Sequence, residues 1–196
     1  MKNARRVSVI LIIVSVIFMV ACKSKSESVT TVPVEPTQEQ LIQNGEYLVT
    51  IMGCQDCHSP KEMGPQGPVV IADLMLSGYP ADRPIKKVDP EIIKSGWNLM
   101  NEDITSAAGM WGISFAANIT SDPTGIGNWT EENFKRALKE GKYKGLAASR
   151  MLLPPMPWQN FVNLKDEDVK AMFAYLKSTK PVNNLVPQPV ALADIK

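Results

Sequence analysis

Cys54-Gln55-Asp56-Cys57-His58 decides the reading of this 196-residue chain. Two thiols three positions apart, followed at once by an imidazole, form the Cys-x-x-Cys-His pattern of covalent haem attachment. Each thiol can add to one vinyl group of a single haem, and the next residue meets the iron through a ring nitrogen. His58 is the single histidine of the sequence, which excludes a second site of this type and a bis-histidine haem. It also leaves no histidine for acid–base chemistry. The thiol pair has two other readings, a redox dithiol and half of a zinc site. Zinc needs two further ligands and Cys22 is the only other cysteine. A thioredoxin-like dithiol needs a βαβ context that is absent.

Upstream, Lys2, Arg5 and Arg6 precede an uncharged apolar run from Val7 to Ala21. This is the n-region and h-region of an export signal, and the run is shorter than a membrane-spanning helix needs. It ends in Met19-Val20-Ala21-Cys22, which resembles a bacterial lipoprotein box with Cys22 as the acylated first residue. The other reading is an uncleaved anchor helix with an incidental cysteine. Residues 1–21 are thus expected to be a signal peptide. The product would be an exported, lipid-anchored protein facing the periplasm, attached to either the inner or the outer membrane. The three cysteines are then all assigned, two to haem and one to lipid. Cleavage removes three of 21 basic residues, leaving 18 against 20 acidic ones. A balance so near neutral carries no nucleic-acid footprint.

Residues 22–36, rich in Ser, Thr, Val, Pro, Lys and Glu, read as a flexible tether. A domain is expected over 37–182, followed by a tail over 183–196. Thr37 and Gln40 make a capping-box pattern, and Leu41, Leu48, Ile51 and Met52 follow at helical spacing. A second helix starts at Thr130, with Glu131 and Glu132 at its positive end, and stops at Gly141. A third spans about Asp166 to Ser178, with Val169, Met172, Phe173 and Leu176 on one face. Residues 60 to about 117 form an insertion in which Gly64-Pro65-Gln66-Gly67-Pro68 reads as loop. Short strands are expected near Trp97–Met100 and Gly112–Ala116, joined by a turn.

A His-ligated iron has a second axial position, and methionine is the ligand that raises the potential of electron-transfer haems. Met156 is the leading candidate because Pro154-Pro155-Met156-Pro157 holds it in a stiff stretch poor in backbone donors. Met151 is the alternative. Met52 and Met172 fall on apolar helix faces and read as packing.

The order of these features resembles class I cytochromes c: first helix, Cys-x-x-Cys-His, middle helix, methionine loop, last helix. More closely it resembles bacterial monohaem cytochromes with a long insertion after the haem motif. The resemblance is carried by Trp111-Gly112-Ile113-Ser114-Phe115-Ala116-Ala117-Asn118-Ile119-Thr120, Thr124-Gly125-Ile126-Gly127-Asn128-Trp129, Leu153-Pro154-Pro155-Met156-Pro157-Trp158 and Leu164-Lys165-Asp166-Glu167-Asp168-Val169. It implies a mainly α fold around one haem c, the loop-rich insertion able to carry a short β-hairpin. It also implies an electron carrier with His58 and Met156 on the iron and Cys54 and Cys57 on the haem. No catalytic residue is implied. The family's usual acceptor for the ring N–H of the ligating histidine points to Pro68. Trp129, Trp158 and Arg150 are candidates for the haem edge and its propionates, or for core and surface respectively. Lys165 departs from the usual Ser or Thr helix cap.

The expected partners are redox proteins and, through the lipid, a membrane; no small-molecule substrate is expected. The chain could act as a free shuttle or as the cytochrome subunit of a dehydrogenase or oxidase complex. Two other classes stay open, a haem protein with a displaceable sixth ligand and a structural lipoprotein with an incidental thiol pair.

Overall fold

The computed structural model describes residues 35–195. The signal peptide, Cys22 and nearly all of the expected tether lie outside the described residues. The folded body begins at Pro36.

The fold is mainly helical, with small antiparallel strand pairs in its loop regions. Helix α1, Gln38–Ile51, opens on a reciprocal capping box: the Thr37 hydroxyl accepts from Gln40 N and the Gln40 side chain accepts from Thr37 N. Each bond satisfies an otherwise orphaned N–H of the first turn. After a break at Met52 and Gly53 comes a short helix α2, Cys54–His58. The insertion holds a hairpin of β1, Lys61–Gly64, and β2, Gly67–Val70, then a short helix α3, Pro90–Lys94. Strands β3, Leu99–Met100, β4, Ser106–Gly109, and β5, Gly112–Phe115, make an antiparallel sheet in the order β3-β4-β5. Helix α4, Glu131–Glu140, and helix α5, Asp166–Ser178, follow.

The main core gathers Val49 from α1, Leu76 and Ile126 from loops, Phe134 and Leu138 from α4, and Val169, Met172, Tyr175 and Leu176 from α5. Helices α1 and α5 cross at Gly45, where an added Cβ would overlap the Ala171 carbonyl. Close approach, not conformational freedom, is what glycine supplies there. Lys165 indeed makes no side-chain cap for α5. Asp166, Glu167 and Asp168 in the first turn compensate by facing the positive helix end.

Three features of the insertion and C-terminus differ from the sequence reading. The Gly64–Pro68 loop is the tip and start of a hairpin, with Gly64 opposite Gly67 and Met63 opposite Pro68. A proline is tolerated there because both strands of a two-stranded ribbon are edges. The turn expected between the two strands contains a strand of its own, β4, whose short Ser-Ala-Ala-Gly run carries little β signal. The segment read as a tail packs back onto the sheet. Ile113 and Val190 exchange backbone bonds of 2.8 and 3.0 Å. Val190, Leu192 and Ile195 pack against a second small core of Ile93, Ala108 and Ile113.

At the centre of the insertion Asp103, 2% exposed, accepts from Thr105 Oγ1 at 2.6 Å, Asn101 Nδ2 at 2.6 Å and Arg83 Nη1 at 2.6 Å. Burial alone would raise its carboxyl. Hydrogen bonds from Thr105, Arg83 and the Lys61 amide outweigh burial and hold the carboxyl down to about 2, against an ordinary 3.8. A value lowered on folding means that the carboxylate's stabilisation is complete above about pH 4 and is lost as pH falls through 2. Asp103→Asn should therefore cost about 3 kcal/mol at pH 7 by stranding Arg83. Its urea midpoint should also be flatter than the wild type's between pH 4 and pH 2. Equal acid sensitivity in the two proteins would remove Asp103 from this role.

Candidate functional site

The site begins where α1 ends. Cys54 lies on the first turn of α2 and packs, partly buried, against the main core. Cys57 is also partly buried, and both are free thiols. Burial pushes the Cys54 thiol up to about 11, with the Asp56 and Cys57 charges adding to the shift and a backbone hydrogen bond opposing it. Burial, then the Asp56 charge, raises Cys57 as well, and Lys61 opposes it. Among the described residues no group of three or more His, Cys, Asp or Glu side chains is placed to hold a metal ion. The zinc reading finds no further donors there.

His58 is held twice. Its carbonyl accepts from Gly78 N at 2.7 Å, and its Nδ1 lies 2.7 Å from the Ala117 carbonyl oxygen. Burial lowers the imidazole's basicity and the bond to Ala117 partly restores it. A neutral ring must donate its Nδ1–H to that carbonyl, which leaves the Nε2 lone pair for a metal. The acceptor implied by resemblance, Pro68, is not the one observed. Pro68 is committed to β2 opposite Met63, whereas the chain leaving β5 passes beside His58.

The Ala117 carbonyl is fixed by its neighbours. Tyr79 N donates to Ala116 O at 3.0 Å and Ile119 N to Leu76 O at 2.9 Å. Asn118 Nδ2 donates to Val182 O at 2.8 Å, and Asn184 Nδ2 reaches Ser77 O at 2.7 Å and Tyr79 O at 2.9 Å. The C-terminal segment thus buttresses the two loops that grip His58. Lys61 works from the other side. Its ammonium donates to Asp56 O, to Ser59 O at 3.0 Å and to Asp103 O at 3.0 Å, capping α2 and tying it to the insertion. A lysine three residues past a helix end at His58 is a readable cap signal. The sequence reading runs α1 into the motif without a break, so it places no cap at Lys61.

The methionines separate by placement. Met156 is partly buried and packs against the same core as Cys54. Met151 is 40% exposed and pairs through its backbone with Lys142. Met52 and Met172 are packing residues, in keeping with their helical positions. Trp129 packs against the main core, and the Trp158 ring covers Gly141. Arg150 lies 4.1 Å over the Tyr143 ring and donates to Met151 O at 2.9 Å.

The donor set suits a haem. Two cysteines lie three positions apart on one short helix, an imidazole is oriented through Nδ1, and a thioether lies on the same core as Cys54. Residues 42–180 match the family described as Cytochrome c. Over 78 residues, 39% of this chain and 6% of the relative, it is 41% identical to a nicotinate dehydrogenase subunit of Pseudomonas putida. It is 29% identical over 150 residues to the cytochrome c subunit of a quinone alcohol dehydrogenase from Gluconobacter oxydans, covering 76% of this chain and 23% of the relative. It is 29% identical over 163 residues to the fructose dehydrogenase cytochrome subunit of Gluconobacter japonicus, covering 80% and 26%. The chain therefore spans about a quarter or less of the length of these relatives.

Gly78 offers a test of the clamp. It has φ 76°, and an added Cβ would lie 2.6 Å from the Ala117 oxygen. Gly78→Ala should destabilise the holo-protein by about 3 kcal/mol in urea unfolding and lower the haem-to-protein ratio of purified material. Wild-type values for both would show that the clamp is not needed to hold His58.

Proposed function

The chain belongs to the cytochrome c family, and on that premise we propose that it is a lipid-anchored electron carrier serving a dehydrogenase outside the cytoplasmic membrane. Haem c is its prosthetic group, and its chemistry is electron transfer rather than bond-making on a substrate. In the proposed site Cys54 and Cys57 would hold the haem covalently, and His58 and Met156 would ligate its iron. Bound haem supplies a one-electron Fe(III)/Fe(II) couple.

The chain's own residues do the rest. Ala117 fixes the tautomer and rotation of His58, and Gly78 fixes its backbone. The core against which Cys54 and Met156 pack excludes water. The observation that carries the reading is the His58 ring, turned by Ala117 so that Nε2 remains for iron, in a motif whose Cys54 shares its core with Met156. Support for a dehydrogenase partner comes from the relatives, which are named as dehydrogenase subunits. Support for the anchor comes from Met19-Val20-Ala21-Cys22 after a charged n-region and an apolar run. A class I arrangement of ligands, rather than an open sixth position, is favoured by Met156, which is partly buried against the main core while Pro154, Pro155 and Pro157 around it are exposed.

Two experiments test this. Reduced wild-type protein should refuse carbon monoxide, whereas Met156→Ala should bind it at once and its potential should fall; Met151→Ala should behave as wild type. Rapid carbon monoxide binding by wild type would sink the His58/Met156 assignment. Mass spectrometry of the mature N-terminus should show an acylated Cys22, and Cys22→Ser should release the protein from membranes. An unmodified Cys22 would remove the anchor and leave the electron carrier.

A further inference from the structure

We propose that Trp111 and Ser114 are positioning residues for the Met156 loop, acting through a one-way relay of hydrogen bonds to the Pro154 carbonyl. The inference rests on the reading of Met156 as an iron ligand. Trp111 Nε1–H, which can only donate, lies 3.1 Å from Ser114 Oγ. Ser114 Oγ in turn lies 2.6 Å from Pro154 O. Its other acceptor, Ala107 O, is at 3.4 Å, the outer limit of such a bond. The single hydroxyl hydrogen therefore goes to Pro154.

The direction of the relay is set by chemistry. The indole fills an acceptor site on the hydroxyl, and the hydroxyl must then donate onward. Ser114 is 8% exposed, so water competes little for the bond. The indole is seated as well: an added Cβ at Gly109 would overlap its six-membered ring.

The loop needs an outside anchor. Pro154, Pro155 and Pro157 have no N–H, so the stretch cannot join a ladder. Its internal bonds are Met156 N to Leu153 O at 3.3 Å and Trp158 N to Met156 O at 3.0 Å. The anchoring strand is the one that leads to Ala117, the acceptor for His58. Ser114 and Ala117, three residues apart, thus hold the segments that carry the two proposed ligands. No bond to the iron is required of either.

The test uses the ferric holo-protein with imidazole as the competing ligand. Ser114→Ala should speed imidazole capture about tenfold, and speed hydrogen exchange at the Met156 and Trp158 amides by a similar factor, since one hydrogen bond is lost. Ser114→Thr, which keeps a hydroxyl, should restore both towards wild type. Thr37→Ala, which removes the α1 cap far from this loop, should move neither. Should Ser114→Ala fail to fold, Trp111→Phe removes the donor and keeps a ring over Gly109, and it should act in the same direction. Unchanged exchange at Met156 and Trp158 would overturn the relay, as would an equal acceleration in Thr37→Ala. Faster exchange with unchanged imidazole capture would leave the relay standing as the loop's anchor and instead remove Met156 from the iron.

Discussion

The His58 Nδ1–Ala117 carbonyl bond joins residues 59 positions apart, and the insertion is organised around making it. A lone imidazole at the end of a five-residue helix has a rotatable ring and two chemically different nitrogens. Left to itself it would present either nitrogen, at many angles. The carbonyl removes that freedom, but a carbonyl on a loose strand would only transfer the disorder elsewhere. The sheet, the second small core and the C-terminal segment together make Ala117 a fixed point. Closing so long a loop is entropically modest per added residue. Ordering its residues costs more, and the second core around Ile93 and Ile113 offsets that cost.

The same logic explains the buried carboxylate of Asp103 and its partly exposed partner Arg83. Asp103 receives four side-chain or backbone donors besides Arg83, from Thr105, Asn101 and Lys61. Such a group contributes less by Coulomb attraction than by leaving one arrangement in which every donor is satisfied. Lys61 extends the arrangement to the carbonyls of Asp56 and Ser59, next to the haem motif. Insertion and motif are therefore joined by polar contacts on one side of His58 and by Ala117 on the other.

What could be read from the residues follows a physical boundary. Thr37 with Gln40, Thr130 with Gly141 and the spacing of Val169, Met172, Phe173 and Leu176 are local signals, and the helices lie where they point. The Cys54–His58 motif is legible for the same reason, since its chemistry needs fixed spacing. Met156 stood out by its prolines, although spacing alone could not separate it from Met151; of the two, Met156 is the one packed against the core that holds Cys54. The rest was not local. Ala117 acts through a backbone carbonyl, which has no residue signature. Ser114 looks like any strand serine until Pro154, 40 positions on, is known to face it. Strand β4 is too rich in Ala and Gly to announce itself, and the C-terminal segment pairs through Val190 with a strand far upstream.

Electron transfer requires ligands that move little between oxidation states, so rigidity around the ligands is part of the function. A chain with one histidine cannot obtain it by replacing or sharing ligands. It must instead immobilise the one it has. Here the immobilising atoms are mostly main-chain: Gly78 N–H and the Ala117 carbonyl for His58, the Pro154 carbonyl for the methionine loop. Main-chain atoms are indifferent to substitution at their own positions so long as the backbone path is kept. The path is kept by the insertion and C-terminal segment, which carry no haem ligand themselves. On the proposed assignment, Asn184, Ser114 and Asp103 hold the ligand-bearing segments in place as much as the five-residue motif does.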